Sequence, residues 1–526
     1  MQNKRFSEDD LRQIQNHGLT AEKVEEQIAV FAKGTPYLKL DRPCTTGDGI
    51  QKTDRHTERQ CLEKYRSSAG KAGMYKFVPA SGAATRMFKT LIKAYGQHEE
   101  ILEEKLQAGL METEEENREL LDFFKGIRRF AFYPDLAAAM AAGGLDPQAL
   151  IKQGNIKPFL QYLLTEKGLD YGKKPKGLLK FHACEEETRT AFTEHLVEAA
   201  GYSRNATGDC RLHFTVSPQH QTEFEKLLQQ SAESYEKRLG ARFSVDFSVQ
   251  APHTDTIAVD MNNQPFRKSD GSLLFRPGGH GALLENLDRI RAELIFIKNI
   301  DNVVHDRFKP ETNHWKQILC GFLLLIQEQI FAHIRSLRHQ PASEERLAEI
   351  TRFVENTLCV IPPQTFYSGD TEKRRSWLLD RLCRPLRVCG MVPNSGEPGG
   401  GPFWVADSTG RLSIQIVETS QIDPNDQEQQ EIQQGLTHFN PVDLVCAPCD
   451  EDGKRYDLNR FVDPEAVFIA HKSEEGKNLK ALEHPGLWNG AMAFWNTVFV
   501  EVPLITFNPV KRVNDLLRGP HQPSGE

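Results

Sequence analysis

Apolar positions along this chain change their period several times, and each change marks an element. Near the start, Leu11/Ile14 and Val24/Ile28/Phe31 recur at helical spacing, Ser7-Glu8-Asp9-Asp10 gives a helix-start signal, and a Gly/Thr-rich stretch follows at Thr45-Thr46-Gly47-Asp48-Gly49. This first stretch, residues 1–70, reads as a helical leader packed on something larger. From Phe88 to Gly172 the pattern is helical almost throughout, with Leu91, Leu102, Leu106, Leu120, Leu121, Phe124 and Ile127 at periodic positions. The acidic run from Glu112 to Glu119 inside it is expected to be a solvated helix face. Strand-like runs follow at 178–181, 212–216 and 243–247, separated by helical stretches at 187–200 and 221–237. A second helical block, 313–358, precedes further strands at 387–392, 412–417 and 498–502. Alternating strand and helix predicts an α/β fold: a mainly parallel mixed sheet covered by helices on both faces, with large helical insertions.

Composition narrows the partners. A chain of 526 residues with 39% hydrophobic content can bury a large core, as about three or four domain-sized units or one enlarged domain. A net charge of −8 gives no general pull toward nucleic acid or an anionic membrane, although a local basic cleft can still hold phosphates. The first twenty residues lack the apolar core of a signal peptide, so a cytoplasmic location is expected. The longest apolar run, Ile318 to Ile326, is too short to span a bilayer and reads as a buried helix. The ten cysteines are expected to be reduced, and Cys446-x-x-Cys449 lacks the second ligand pair of a structural zinc site.

The most informative local pattern is Phe77-Val78-Pro79-Ala80-Ser81-Gly82-Ala83-Ala84-Thr85-Arg86-Met87, an apolar strand running into a turn of small residues and then a helix. Small residues let backbone N–H groups approach phosphates, the helix N-terminus adds a positive dipole end, and Arg86 brings a permanent forked cation. A nucleoside triphosphate is the expected guest. The loop is neither a G-x-x-x-x-G-K-[ST] nor a G-x-G-x-x-G motif. A turn of Gly and Ala that merely lets the backbone bend is the plain alternative.

Further segments share this logic. Pro175-Lys176-Gly177 holds a lysine at a loop end, where it can act as a point charge for phosphate or simply be solvated. Gln250-Ala251-Pro252 leads on to Pro277-Gly278-Gly279-His280-Gly281, whose glycines can lie flat against a base or sugar; a lone His in such a turn is commonly structural. The strand 294–300 ends in Asp301-Asn302, where ligands of open α/β sheets sit, so Asp301 is placed to hold Mg2+ or to cap a turn. Val417-Glu418-Thr419-Ser420-Gln421 adds another strand exit, and Phe507-Asn508-Pro509-Val510-Lys511 another Pro-held lysine. His471-Lys472 and Trp488-Asn489-Gly490 can line an acceptor side, and 397–402 reads as a loop over it or a surface linker.

Taken in order, these segments resemble the UDP-sugar pyrophosphorylase family, of the GT-A-like nucleotidyltransferase fold. Its G-G-x-G-T-R-[LM] loop is similar to residues 81–87, its P-K-G to 175–177, and its Gly-rich uridine-contacting segment to 277–281. Its metal-binding Asp-Asn looks like 301–302, its V-E-Y-S-E strand like 417–421, and its F-x-P-[LV]-K like 507–511. As a whole the chain looks like a bacterial protein family of unknown function in that superfamily. Ser81 and Ala84 replace two family glycines, 418–421 lacks the Tyr and the second Glu, and the 88–172 helices separate two neighbouring motifs. The resemblance implies a nucleotide-binding core at 71–87 and 173–305, helical insertions at 88–172 and 306–358, and a sugar side with the C-terminal segment at 359–526. It further implies Mg2+ at Asp301, with Arg86, Lys176 and Lys511 as catalytic cations. Ala80, Ser81, Gly82, Ala83, Ala84, Thr85, Gln250, Gly278, Gly279 and His280 would hold the nucleotide, and Glu418 and Asn489 would face the sugar. The implied substrates are a nucleoside triphosphate and a sugar phosphate. A non-catalytic nucleotide-sugar binder of the same fold, and an interaction protein whose inserted helices dock a partner, are the alternatives.

Overall fold

In a computed structural model of the protein, the described residues are 5–69, 73–185, 187–341, 343–396, 399–407, 410–439 and 443–523. The chain forms two compact units, one from Met1–Phe77, Ser248–Ile297 and Gln317–Leu504, the other from Val78–Phe247, Lys298–Lys316 and Ile505–Glu526. Neither unit is continuous in sequence.

The first unit is built on a mixed sheet. Its strands follow in the order Thr45–Thr46, Gly49–Gln51, Asn496–Glu501, Leu386–Pro393, Asp443–Ala447, Leu294–Lys298 and Met74–Pro79. Leu386–Pro393 runs parallel to Asn496–Glu501, and Leu294–Lys298 parallel to Met74–Pro79, whereas Asp443–Ala447 is antiparallel to its neighbour Leu386–Pro393. The central strands are buried at nearly every position, as strands covered on both faces must be. Phe77, Ile295, Ile297, Cys389, Met391, Leu444 and Phe499 pack there with Trp488, Met492 and Trp495. A four-stranded antiparallel sheet orders Lys39–Pro43, Gly401–Ala406, Leu412–Val417 and Val360–Ile361. Another joins Phe275–Arg276, Thr256–Val259, Lys477–Glu483 and Phe468–Glu474. The leader helices Glu8–Asn16 and Ala21–Lys33 bury Ile14, Val24, Ile28 and Phe31 against Ile257, Val259 and Leu482. The helix-start signal is a reciprocal cap: Asp10 N–H donates to Ser7 Oγ and Ser7 N–H to Asp10 Oδ2.

The helical block at 313–358 forms as Lys309–His339 and Glu344–Asn356. The segment Asp306–His339 holds an 18-residue stretch of mean hydropathy 1.4 and so is long and apolar enough, by length and composition, to cross a membrane; in this fold half of that 18-residue stretch is buried. Ile318, Leu319, Cys320, Leu323, Ile330 and Ile334 are among its buried side chains. The helix reaches Arg55–Ala69 through Gly321, where an added Cβ would stand 1.8 Å from the carbonyl oxygen of Cys61. Backbone cannot yield as a side-chain tip can. Gly321→Ala is therefore expected to destabilise the chain by about 1–3 kcal/mol or more through overpacking. A urea midpoint equal to the wild-type value would show that the helices do not approach this closely.

In the second unit, Lys180–Ala183 pairs with Thr188–Thr190; along the chain the helix Ala191–Tyr202, the strand Asp209–Thr215, the helix Gln221–Leu239 and the strand Arg242–Ser248 then follow in turn. Two expectations are corrected here. The helix expected from residue 187 begins at Ala191 instead, because Thr190 caps it by accepting the Thr193 N–H. The acidic run is not simply a solvated face. Glu112 and Glu116 meet Lys93, Glu115 meets Arg512, and Glu119 accepts a hydrogen bond from Thr90 at 2.8 Å. Burial pushes the Glu119 carboxyl above its ordinary value.

Candidate phosphate-binding site

Strand Met74–Pro79 delivers the small-residue loop into the second unit. Ala80 anchors its start by donating its N–H to Thr215 O at 2.8 Å. At its middle, Ala83 and Pro175 form an antiparallel bridge: Ala84 N–H donates to Lys174 O at 3.1 Å and Lys176 N–H to Gly82 O at 3.2 Å. The two motifs that the 88–172 helices separate in sequence therefore lie side by side. Ser81, Gly82 and Ala83 are exposed, and among the described residues their backbone N–H groups have no partner. Nothing lies within 4 Å of the place a Gly82 Cβ would take. Ala84 is fully buried, so the methyl that replaces a family glycine is in the interior rather than on the open face of the loop. A 3-10 turn, Ala84–Arg86, comes before the α-helix Lys89–Gln97, and it leaves Thr85 and Arg86 exposed.

Beside the loop stands a compact charge cluster. Lys176 Nζ donates to Asp301 Oδ2 at 2.7 Å and to Val510 O at 2.7 Å, while Lys511 Nζ stands 3.6 Å from the same Oδ2. The Asp301 and Lys176 side chains are only 8% and 12% exposed, whereas Lys511 is 59% exposed. Burial alone would raise the Asp301 carboxyl, but the two ammonium groups outweigh it and hold the group below its ordinary value. The Asp301-Asn302 segment is fastened to the C-terminal segment by one backbone bond and by the Asn302 side chain. Val510 N–H donates to Asp301 O, Asn508 N–H to Asn302 Oδ1, and Asn302 Nδ2 to Thr506 O. A residue that the pattern did not single out completes the arrangement: Asp515 Oδ2 accepts the N–H groups of both Lys511 and Arg512, at 2.8 and 2.7 Å. Its only sequence signal was an acid three positions after Arg512, the spacing of a capping box.

The remaining expected residues belong to the first unit. Gln250 Nε2 donates to Asp255 Oδ1 at 3.2 Å. The Gly-rich turn is tied to the same loop through His484, whose N–H donates to Gly278 O and whose Nε2 donates to Thr254 O. Its glycines serve close packing: an added Cβ would meet His484 at Gly278, Glu483 at Gly279, and Pro485 O at 2.1 Å at Gly281. Gly279 also has φ +75°, which favours glycine. His280 stacks on Trp488 with ring centroids 4.4 Å apart, and its Nδ1 accepts the Leu487 N–H at 3.1 Å. Burial pushes its pKa down to about 4. Within this unit its ring is therefore packed and one of its nitrogens is taken by a backbone amide.

Glu418 and Gln421 cap the short turn Thr419–Gln421 reciprocally. Asn489 is buried, donates Nδ2 to Ile416 O at 3.0 Å, and lines a cavity of 410 Å3 with Arg411, Gln415, Gln421 and Asp463. Lys472 lies 3.7 Å from Glu483 on adjacent strands. Of the loop at 397–402, Glu397 and Pro398 lie outside the described residues, and Gly401 opens a strand.

Comparison with known proteins places the chain by family. The model of a domain of unknown function, DUF4301, matches residues 7–522, so the chain belongs to that family. No curated protein matches it. Among solved structures it is similar to a mutant UDP-glucose pyrophosphorylase from Leishmania major in complex with UDP-glucose, at 11% identity and TM-score 0.44 over 97% of this chain and 77% of that one. It is also similar to a UDP-N-acetylglucosamine pyrophosphorylase from Trypanosoma brucei in complex with an inhibitor, at 13% identity and TM-score 0.46 over 97% and 79% of the two chains.

Proposed function

We propose that this member of the DUF4301 family is a Mg2+-dependent nucleotidyltransferase. It would join a nucleoside triphosphate, UTP in the first instance, to a sugar 1-phosphate and release pyrophosphate. The observation that carries the reading is the convergence of Lys176 and Lys511 on one carboxylate oxygen of Asp301, beside a loop whose Ser81, Gly82 and Ala83 amides are unspent among the described residues.

Nucleotidyl transfer asks little covalent chemistry of the protein. A sugar-phosphate oxygen attacks the α-phosphorus in line and pyrophosphate leaves; positioning and neutralisation of charge supply the catalysis. The Ser81–Ala83 amides and Arg86 suit the leaving pyrophosphate, Lys176 the α-phosphate, and the exposed Lys511 the sugar phosphate. The attacking oxygen is already anionic, so no general base is needed. Both ammonium groups approach Asp301 Oδ2, which leaves Oδ1 uncommitted among the described residues. One ionised carboxylate together with substrate phosphates is a common Mg2+ ligand set, so Asp301 fits the ion. When bound, Mg2+ would neutralise charge on the phosphates.

The test gives purified protein Mg2+, each nucleoside triphosphate and a panel of sugar 1-phosphates, and measures pyrophosphate. Release is expected, with Arg86→Ala lowering kcat/KM by about 100-fold, the usual loss for one preorganised donor. A second reading, a binder of nucleotide sugars without turnover, is favoured by two details. The Ala84 amide is spent on Lys174 O, and the Asp301 charge is already balanced by Lys176. Tight UDP-sugar binding without pyrophosphate release selects that reading; neither binding nor release rejects both.

A further inference from the structure

The 88–172 helices leave the small-residue loop through Lys89–Gln97 and return to it at Pro175. Between these ends, the helix Glu114–Lys125 meets a third segment, the 3-10 turn Val513–Leu517 that follows Lys511. Three hydrogen bonds close a triangle. Val513 N–H donates to Met87 O at 3.1 Å, one residue after Arg86. Thr90 Oγ1 donates to Glu119 Oε2 at 2.8 Å, and Asn514 Nδ2 donates to Glu119 O at 2.7 Å. A carbonyl can only accept, so the Asn514 amide must turn its nitrogen toward the helix. Glu119 thus holds the exit of the small-residue loop with its side chain and the C-terminal turn with its backbone. Val513, Asp515 and Leu516 are buried, so packing also fixes the turn.

Lys511 has little else to hold it from this side. Its side chain is exposed, and among the described residues its ammonium meets only Asp301, at 3.6 Å. Before it, Val510 is tied to Asp301 and Lys176. After it, the N–H groups of Lys511 and Arg512 both donate to Asp515 Oδ2, inside the turn itself. Arg512 is exposed, so its ion pairs with Glu115 and Glu119 contribute little. Where the ammonium stands therefore follows from where the turn sits, and the inserted helix sets that through Asn514.

We propose that Glu119 and Asn514 are positioning residues: the inserted helix Glu114–Lys125 fixes Lys511 relative to the small-residue loop, and so fixes how a sugar phosphate is held beside the triphosphate. The chemical half of this rests on the nucleotidyltransferase reading; the placement does not.

Hydrogen–deuterium exchange of the full chain, read by mass spectrometry, tests the placement without substrate. In Asn514→Ala and in Glu119→Ala, the amides of residues 511–513 are expected to exchange about tenfold faster, as loss of a buried hydrogen bond should allow. The strands Lys180–Ala183 and Asp209–Thr215 of the same unit should keep wild-type rates, and Glu119→Gln, which keeps an acceptor for Thr90, should restore protection. The pyrophosphate-release assay tests the chemistry, with the sugar 1-phosphate of the panel that is turned over fastest. Both alanine variants are expected to raise its KM by about tenfold, to leave kcat and the triphosphate KM near wild type, and to add nothing in a Lys511→Ala background. Wild-type exchange at 511–513 in both variants, or equal acceleration throughout the unit, overturns the proposal. So does local loosening with an unchanged sugar-phosphate KM. If wild type itself releases no pyrophosphate, the nucleotidyltransferase reading falls, and the exchange rates still decide the placement.

Discussion

Asp301→Ala is expected to lower stability by about 3 kcal/mol and to abolish any pyrophosphate release. The stability term follows from removing one partner of a shielded ion pair, which leaves the Lys176 ammonium, 12% exposed, without its countercharge. Asp301→Asn keeps the volume and one acceptor, so it should cost less. The pH dependence has a definite sign. The folded Asp301 lies below its ordinary value of 3.8, so its contribution is fully present above that value. It is lost as pH falls through the lower, folded value. The difference between wild type and Asp301→Asn in urea melts should therefore shrink on the acid side of pH 3.8 and be constant above it. Equal stability at neutral pH would show that the pair does not form. Lost stability with undiminished turnover would remove Asp301 from the chemistry.

Glu194→Ala should cost more, about 3–5 kcal/mol. Glu194 is fully buried and faces three cationic or protonatable groups: Lys309 Nζ at 2.7 Å, His182 Nδ1 at 2.7 Å and Arg189 Nη1 at 3.7 Å. Truncation removes the fully buried countercharge of two cations whose side chains are 7% and 5% exposed, and leaves Lys309 to Asp306 and Arg189 to Glu187 and Asp306. Burial by itself would raise the Glu194 carboxyl, yet Lys309, His182 and Arg189 together bring it down to about 2. Its stabilisation is thus complete above its ordinary 4.5 and is lost as pH approaches 2. The cluster also holds the chain end, because His182 Nε2 meets His521 Nδ1 at 2.9 Å. Residues near His521 should become open to limited proteolysis in Glu194→Ala before the rest of the unit does. An unchanged unfolding midpoint would refute the role given to this carboxylate.

Some of the local structure around the candidate site was legible because it is local. The strand, the small-residue turn and the Pro-held lysines each occupy a few consecutive positions, and backbone physics acts over that range. The acidic run shows where local reading stops. Eight positions that look solvated in sequence include Glu115 and Glu119, which meet Arg512 almost 400 positions later. His280 shows the opposite limit: its glycine neighbours suggested ligand contact, while within its unit they make room for His484, Glu483 and Pro485. Neither partner set leaves a periodic trace.

Amino-acid order by itself determined the period of each segment, hence the helices and the strands, because side-chain direction repeats every 3.6 or 2 residues. Only tertiary structure decided which charges meet. Lys176 reaches Asp301 across 125 positions and Val510 across 334, and Glu194 gathers His182, Arg189 and Lys309 out of water. Coulomb attraction depends on distance in space and on the water excluded between the partners, and both are fixed only when the chain has closed on itself.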